Sequence, residues 1–358
     1  MLKKNKGTNP PPKELGYRFP AEWEPHRATW LSYPHADSYS WPGTLPSIFP
    51  FYHQFIREIT KGERVCVNIH SKELLDMVRA GLSRSGQDVS KIDFFIHPTN
   101  DAWCRDHGPA FVVNPYAKSP RMVVCWEYDA WGGKYPYELD KQIPALVAQC
   151  LDIPMVCPGI VMEGGAVESN GKGTLLTTAS CLLNKTRNPH LSQQQVEKYL
   201  QDYYGVEQVL WLGNGIDGDD THGHIEHITR FFREDAVVAV VEHDKTDPNH
   251  KPLKDNLKLL RAMREAHGKQ LDIAELPMPP PVVHQGQRLP ASYANFYITN
   301  HSVIVPLYRC KEDDKAMTVI EECFPGRQVI GIDSVEIICG LGSFHRLSQQ
   351  EPEVKSEK

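Results

Sequence analysis

The segment Asp220-Thr221-His222-Gly223-His224-Ile225-Glu226 places two imidazoles and two carboxylates within seven residues. If it is extended, alternate side chains share a face, so that His222, His224 and Glu226 lie together and His227 points away. On such a face His224 can transfer protons while Glu226 holds a positive substrate. A metal site is a second interpretation of the same residues. A solvated polar edge strand is the third.

A second polar segment, Asn100-Asp101-Ala102-Trp103-Cys104-Arg105-Asp106-His107-Gly108-Pro109, lies between two predicted strands. A loop of this composition can hold a carboxylate beside an aromatic wall, which makes Asp106 a candidate for binding a cation. The alternative is a turn in which Asp106 bonds its own backbone and Arg105 is solvated.

Two glycine-bearing segments complete the set. Residues 339–350, Cys-Gly-Leu-Gly-Ser-Phe-His-Arg-Leu-Ser-Gln-Gln, follow a predicted strand, and their glycines let the backbone approach a ligand closely. The GxG in this segment lacks the third glycine of a dinucleotide site. Glu163-Gly164-Gly165, taken alone, indicates a turn.

The periodicity of apolar residues predicts a mixed α/β fold. Short runs rich in Val, Ile and Phe predict strands over 65–69, 92–96, 110–113, 122–126, 174–178, 209–212, 236–241, 295–298, 303–307 and 335–339. Helical spacing predicts helices over 192–205, 256–267 and 313–324, with weaker patterns over 74–82 and 143–151. Ser192 and Gln195 form a predicted capping box, and Gly205 ends that helix.

Composition excludes several classes of protein. The 358 residues are 41% apolar and 23% charged, which rules out a disordered or fibrous chain. No run approaches the roughly 18 apolar residues of a membrane span. The surplus of 45 acidic over 39 basic residues predicts neither a nucleic acid nor an anionic membrane as partner. The first twelve residues contain no apolar signal-peptide core, so we expect a cytoplasmic protein.

The nine cysteines include no CxxC pair, which argues against the usual zinc frameworks and predicts free thiols in a reducing compartment. The charged, proline-bearing ends, 1–14 and 350–358, are typical of disordered termini.

Together the motifs resemble one family closely: the agmatine deiminases and Porphyromonas-type peptidylarginine deiminases of the guanidino-group modifying superfamily. The matching segments are 20–26, 103–109 (W-x-R-D-x-G-P), 131–135, 163–165, 177–189, 220–226 (D-T-H-G-H-I-E), 292–296 (S-Y-A-N-F) and 342–352. They occur in matching order over more than 300 residues, from about Gly16 to Pro352.

The resemblance implies a five-bladed α/β propeller (pentein fold) of ββαβ units around a pseudo-fivefold axis. It would occupy residues 16–352, between a flexible N-terminus (1–15) and a flexible tail (353–358). The family hydrolyses a guanidinium to a ureido group and ammonia without a metal or organic cofactor. The implied reaction is agmatine to N-carbamoylputrescine, in putrescine and polyamine biosynthesis, with peptidyl-arginine or free arginine as alternative small guanidinium substrates. A homo-oligomer is compatible with the resemblance.

The resemblance also implies roles for individual residues. Asp106 and Glu226 would bind the guanidinium, with Glu226 standing where the family usually has Asp. His224 would be the general acid and base. The substrate would be bound further by Trp103, which would line the site, and by Asn295, Glu163 and Gly165.

The departure from the family is Arg346, which stands where family members carry the nucleophilic Cys. Arg has no deprotonated form at neutral pH, so it cannot attack the guanidinium carbon. Its charge would also repel a cationic substrate by roughly 4 kcal/mol at about 4 Å, enough to weaken binding about 1000-fold. We therefore expect a catalytically inactive chain in which Arg346 directs its own guanidinium toward Asp106 and Glu226.

Two interpretations follow: an enzyme of the agmatine deiminase type, and a non-catalytic pseudoenzyme that binds a guanidinium, an amine or a partner. Two thiols lie in the motifs: Cys339, seven residues before position 346, and Cys104, beside Asp106. We expect both to be packing residues.

Overall fold

The computed structural model describes residues 10–355, and the predicted flexible residues 1–9 and 356–358 lie outside this part. Eighteen strands in chain order, β1 to β18, span His26–Ser32, Arg64–Ile69, Ile92–Ile96, Ala110–Val113, Arg121–Val124, Met155–Val156, Val167–Ser169, Thr174–Thr178, Gln208–Leu212, Thr229–Arg233, Ala236–Val241, Asp272–Pro277, Val283–His284, Gln287–Arg288, Tyr297–Ile298, Ser302–Leu307, Gln328–Asp333 and Ser348–Pro352.

Six longer helices, α1 to α6, span Leu45–Ile59, Lys72–Arg84, Ile143–Cys150, Gln193–Tyr204, His250–Ala262 and Glu312–Cys323. Short helical turns occupy Pro12–Leu15, Val89–Lys91, Cys104–His107, Ala130–Gly133, Asp140–Gln142, Gly164–Ala166, Ala179–Leu182, Ile225–His227, Tyr293–Asn295, Ile337–Gly340 and Phe344–Leu347. None of the helices in residues 10–355 combines the length and apolar character needed to cross a membrane.

Five sheets share one pattern of connections. In β4-β5-β6, β7-β8-β9, β10-β11-β12 and β15-β16-β17, the first two strands are antiparallel, and a helix then leads to a parallel third strand. The fifth sheet, β18-β1-β2-β3, begins with the C-terminal strand and therefore joins the two ends of the chain. The mixed α/β fold predicted from the sequence is confirmed.

A short helical turn precedes the first strand of each of these five sheets. The five turns are Cys104–His107, Gly164–Ala166, Ile225–His227, Tyr293–Asn295 and Phe344–Leu347. Each turn contacts the next, and the last contacts the first, so the turns form a closed ring. The polar motifs, dispersed along the sequence, therefore meet at one place.

The strand predicted over 335–339 is wrong. Strand β17 ends at Asp333, whose Oδ1 accepts a hydrogen bond from the backbone N–H of Val335 at 3.0 Å, and Ile337–Gly340 forms a helical turn. A carboxylate that bonds the backbone two residues later favours a turn over continued extension.

The predicted loose ends also need correction. Residues 350–352 belong to β18, which is buried and pairs with β1. Glu351 is tolerated there because it accepts a hydrogen bond from Trp30 Nε1 at 2.9 Å and pairs with Arg121. At the other end, Pro12–Leu15 forms a helical turn with Pro12 buried.

The helix predictions differ in accuracy. The helix over 192–205 is confirmed as α4, with a reciprocal capping box between Ser192 and Gln195 and Gly205 at a φ of 67°. The helix predicted over 256–267 is α5, which ends at Ala262 because Met263 is extended. Helix α1 was not predicted, because Pro46 and Pro50 interrupt its pattern.

Replacing Ser192 by Ala tests the cap of α4. Ser192→Ala removes the acceptor for the Gln195 backbone N–H, so the free energy of unfolding should fall by about 1 kcal/mol. Ser192→Asp keeps an acceptor and should unfold like the parent chain. Urea denaturation of all three proteins measures the difference, and equal losses for Ala and Asp would contradict the capping role.

Candidate active site

Arg346 lies at the centre of the ring of turns, with 2% of its side chain exposed. Its Nε donates to Glu226 Oε1 at 2.8 Å and lies 3.8 Å from Asp106 Oδ2, as predicted. Nη1 donates to the Leu341 carbonyl at 2.7 Å, and Nη2 donates to His227 Nε2 at 2.7 Å. The guanidinium is thus held on every side.

The orientation predicted for His227 is wrong. His222 and Gly223 have φ values of 69° and 103°, and Ile225–His227 forms a helical turn, so the segment is not extended. His227 therefore faces Arg346, whereas His222 accepts from Arg187 Nη1 at 3.1 Å. Glycine supplies the left-handed backbone that this reversal needs.

Asp106 is fixed by two donors. Its Oδ1 accepts from the backbone N–H of Gly165 at 2.9 Å, and its Oδ2 accepts from Trp131 Nε1 at 3.0 Å. Trp131 has a φ of 59°, unusual for a bulky residue, and its motif gave no hint of this contact. Burial, partly offset by the nearby charges of His224 and Arg346, raises the pKa of Asp106.

Glu226 joins the site to a buried network of charges. It pairs with His345 Nδ1, and His345 Nε2 lies 2.9 Å from Glu22 Oε2. Glu22 in turn bonds Arg230 at 2.9 Å and Arg105 at 3.1 Å. Burial opposes ionisation of Glu226, but Arg346, His224 and His345 together hold its pKa well below the usual range.

His224 lies among three carboxylates. Its Nδ1 is 3.7 Å from Asp106 Oδ1 and 3.6 Å from Glu226 Oε1, and its Nε2 is 3.9 Å from Glu163 Oε2. Burial opposes the charged imidazole, but the surrounding acids and the Cys181 thiol raise its pKa well above the usual value. Asp219 Oδ2 holds the His224 backbone N–H at 3.0 Å.

Glu163 is buried and pairs with Arg187 Nε at 2.5 Å. Burial opposes its ionisation, but the Arg187 guanidinium lowers its pKa. A Cβ on Gly165 would lie 2.7 Å from Asp106 Oδ1 and 2.7 Å from His224 Nδ1. Only glycine therefore fits between these two side chains.

Asn295 and Trp103 shape the site around Arg346. Asn295 Oδ1 accepts from the backbone N–H groups of Ser343 at 3.2 Å and Arg346 at 3.4 Å, which fixes the backbone at position 346. Trp103 donates from Nε1 to Ser40 Oγ at 2.8 Å and packs against Trp41. Trp103 lines the cavity beside Arg346, and Asn295 contacts the Arg346 backbone, so both residues of the predicted set lie next to Arg346.

A cavity of about 310 Å³ opens above the Arg346 guanidinium. Its walls include four aromatic side chains, those of Tyr39, Trp103, Trp131 and Tyr135. Asp220 is its one carboxylate among the described residues, and it bonds Tyr135 OH at 2.9 Å and Lys134 Nζ at 2.8 Å. This volume is at the lower end of the range for small-molecule sites.

All nine cysteines are free thiols. Cys104 is buried in an apolar cluster, and burial raises its pKa to about 12. Cys339 is half-buried in the cavity wall, with its pKa raised by burial. Cys181 lies in the matching segment 177–189, to which no role was assigned, and it groups with Glu163 and His224, with ligand atoms within 4.8 Å of one another.

Two groups of side chains here have metal-ligand chemistry, Glu163-Cys181-His224 and Asp106-His224-Glu226. The second group differs from the metal site inferred from the sequence motif, because it contains Asp106 and not His222 beside His224 and Glu226. In this structure its carboxylates face the guanidinium of Arg346.

Comparisons with known proteins show the family of the chain. The profile of the Porphyromonas-type peptidyl-arginine deiminases matches residues 18–352. The chain belongs to this family. Agmatine deiminase from Pseudomonas syringae pv. tomato is 33% identical over 96% of this chain and 98% of its own length.

Two solved structures are similar over nearly the whole chain. Agmatine deiminase of Enterococcus faecalis has a TM-score of 0.89 and 30% identity, covering 97% of this chain and 99% of its own. A cysteine-to-serine variant of agmatine deiminase from C. jejuni with substrate bound has a TM-score of 0.86 and 29% identity, covering 94% and 97%. The family is one of hydrolases that act on carbon–nitrogen bonds.

Gly165→Ala should disrupt the centre of the site. The added Cβ would overlap Asp106 and His224, and overpacking of this kind costs about 1–3 kcal/mol. Gly326→Ala is the matched control, because nothing lies within 4 Å of a Cβ there. We expect a lower thermal midpoint for Gly165→Ala only, and a midpoint equal to that of the control would contradict the close packing.

His227 should make stability depend on pH. Burial, and then the charge of Arg346, lower its pKa from 6.5 to about 4. The unfolded chain takes up this proton near pH 6.5 and the folded chain only near pH 4. The free energy of unfolding should therefore decrease as the pH is lowered from 6.5 to 4. The shift corresponds to about 3 kcal/mol.

The variant His227→Gln keeps an acceptor for Arg346 but does not titrate. Urea denaturation at pH 7 and pH 4 should therefore show a smaller acid-induced loss for His227→Gln than for the parent chain. Equal losses in the two proteins would show that His227 is not held neutral.

Proposed function

We propose that this chain has the guanidinium site of an agmatine deiminase, occupied by its own Arg346, and that the chain does not turn over substrate. The observation that carries the proposal is the Arg346 guanidinium, which bonds Glu226 at 2.8 Å and lies 3.8 Å from Asp106. Those carboxylates are the residues that the family motifs assign to substrate guanidinium.

The roles proposed for the site residues follow from their contacts. Asp106 and Glu226 bind a guanidinium, and Trp103 forms one wall of its cavity. His224, raised in pKa and set between carboxylates, is positioned to donate and accept protons. Glu163 supports the imidazole from the other side, while Asn295 and Gly165 hold the backbone and leave the space that the site needs.

The missing component is a nucleophile. A guanidinium is resonance-stabilised and charged at working pH, so water attacks it poorly. In a family member with Cys at this position, the thiolate adds to the central carbon and a carbon–nitrogen bond breaks to release ammonia. Water then adds, the carbon–sulfur bond breaks, and the ureido product leaves with the thiolate restored. Arg346 cannot begin this sequence.

No other thiol takes this place in the proposal. Burial raises the pKa of Cys104, Cys181 and Cys339, and a thiol rather than a thiolate is a poor nucleophile. Cys181 is the nearest to the proton-transferring residue, but it is fully buried on the Glu163 side of His224, away from the cavity.

The cavity favours agmatine over arginine or an arginyl peptide. Its described wall contains Asp220 and no Lys, and Arg346 is its one Arg. An amine at the far end of the ligand therefore meets aromatic faces and the Asp220 carboxylate, which it would share with Lys134. A carboxylate would meet no free cation there once the nucleophile is restored. The aromatic wall also narrows the space for a peptide.

The ring of five turns supports a propeller architecture. Each of the five larger sheets follows one turn, and these sheets share one order of antiparallel and parallel strands. We infer that residues 16–352 form five blades around the site, with β18 closing the first blade. A cytoplasmic location belongs to the same proposal, since the nine thiols are free. A role in putrescine and polyamine synthesis would apply only to a variant of this chain with Cys at position 346.

The test is the variant Arg346→Cys. Purified parent chain should release no ammonia from agmatine above the uncatalysed rate. Arg346→Cys should release it at least about 1000-fold faster, because loss of a catalytic nucleophile costs several orders of magnitude. Ammonia and N-carbamoylputrescine should form in equal amounts, with agmatine preferred to a C-terminal arginyl peptide.

Two controls make the result specific. Arg346→Ser removes the guanidinium without adding a thiol and should stay inactive. Arg346→Cys combined with Cys181→Ser should keep its activity, which would exclude Cys181 as the nucleophile. Turnover by the parent chain would overturn the proposal, and so would an inactive Arg346→Cys that folds like the parent.

A further inference from the structure

We propose that His35, Asp37 and His70 form a binding site for a divalent transition metal ion such as Zn²⁺ or Co²⁺. One ring nitrogen from each histidine and a carboxylate oxygen of Asp37 lie within 4.8 Å of one another. None of these residues belongs to the guanidinium site, so this proposal does not depend on the proposed function.

One carbonyl sets the tautomer of both histidines. The oxygen of Thr99 accepts from His35 Nε2 at 3.0 Å and from His70 Nδ1 at 2.9 Å. Because a carbonyl only accepts, these two nitrogens carry the protons. Nδ1 of His35 and Nε2 of His70 then carry lone pairs. Metal-binding histidines commonly donate their other ring N–H to a backbone carbonyl in this way.

The lone pair on His35 Nδ1 accepts no hydrogen bond in the described structure. His35 is 5% exposed, and its buried Nδ1 has no hydrogen-bond partner among residues 10–355. Buried polar atoms are nearly always partnered, so an unpartnered one calls for a ligand. Burial and the adjacent His70 ring lower the pKa of His35, which keeps the imidazole in the neutral, ligating form.

The chemistry of the three ligands indicates which ion fits. Two imidazoles and one carboxylate suit Zn²⁺, Co²⁺ or Ni²⁺ better than Mg²⁺ or Ca²⁺, which prefer oxygen ligands. Around a tetrahedral ion, ligand atoms lie about 3.4 Å apart, so the group must contract by about 1 Å. The imidazoles of His35 and His70 lie partly stacked, with centroids 4.2 Å apart and 32° between their planes, so one ring must also turn for both to bind the ion. Asp37 is exposed and His70 half-buried, and rotation of these two side chains can supply the movement. Water would complete the coordination shell.

The site lies beside the wall of the guanidinium cavity. Tyr39 and Ser40, which follow Asp37 closely in the chain, line that cavity. Ser40 Oγ also accepts from Trp103 Nε1. His70 directly follows β2, so an ion bound by Asp37 and His70 would tie the segment 37–40 to the end of that strand. The ion would thereby fix the edge of the cavity that Tyr39 and Ser40 form.

Titration of the metal-free full-length chain with Co²⁺, followed by visible absorption, tests the proposal. We expect one Co²⁺ per chain, the d–d bands of nitrogen and oxygen ligation, and a rise in thermal midpoint with Co²⁺ concentration. His70→Gln and Asp37→Asn should each bind at least about 10-fold more weakly, the cost of removing even an outer partner of a metal site. His243→Gln, at an exposed histidine outside the cluster, should bind like the parent chain.

Three results would overturn the proposal. One is the absence of stoichiometric Co²⁺ binding by the parent chain. The second is unchanged affinity in both His70→Gln and Asp37→Asn. The third is a thiolate-to-cobalt charge-transfer band, which would place the ion on cysteines. Since His70 is half-buried and Asp37 exposed, thermal midpoints without metal should match the parent and show that both variants fold.

Discussion

A buried guanidinium can remain charged only where carboxylates surround it, and the centre of this molecule is arranged around that requirement. Arg346 is enclosed by Glu226, Asp106 and Asp219, at 2.8, 3.8 and 3.8 Å. Removing one partner of a buried charge pair leaves the other uncompensated, at a cost of several kcal/mol. The carboxylates and the cation are therefore interdependent.

The charge pattern continues outward from Glu226. His345 links it to Glu22, which lies between Arg105 and Arg230, and Arg230 also bonds Glu168 at 2.9 Å. Opposite charges thus alternate through the interior, so no charge faces a low-dielectric environment alone. The network also fixes the side chains around the guanidinium site, which is the preorganisation that binding a small cation requires.

The ring of turns explains how residues distant in sequence form one site. Each of the five larger sheets begins after a turn. The turns carry, at their ends or within them, Asp106, Gly165, His224 and Glu226, Asn295 and Arg346. The five units share their connections but not their residues. For this reason strand and helix groupings recur along the chain without a repeat in the sequence, and each turn can supply a different chemical group.

The sequence by itself determined the mixed α/β class, the family and the residues at the centre of the site. Those features depend on local patterns and on short motifs, such as the capping box at Ser192 and the Asp220–Glu226 segment. Contacts between distant segments could not be obtained in this way. Residues 350–352 are polar and proline-bearing, so the sequence indicates a loose end there. They are nevertheless buried in β18, because Glu351 is neutralised by Arg121, 230 residues away.

Only the tertiary structure decided which way the site side chains other than Arg346 point. His227 turns toward Arg346 because the backbone reverses at Gly223. Trp131, His345 and Cys181 join the site through contacts with residues 18 to 119 positions away, and no local pattern in the sequence predicts these contacts. The family resemblance already implied that Arg346 directs its guanidinium toward Asp106 and Glu226. How the other side chains enclose it follows from the closure of five turns into one ring, because a buried cation needs counter-charges around it.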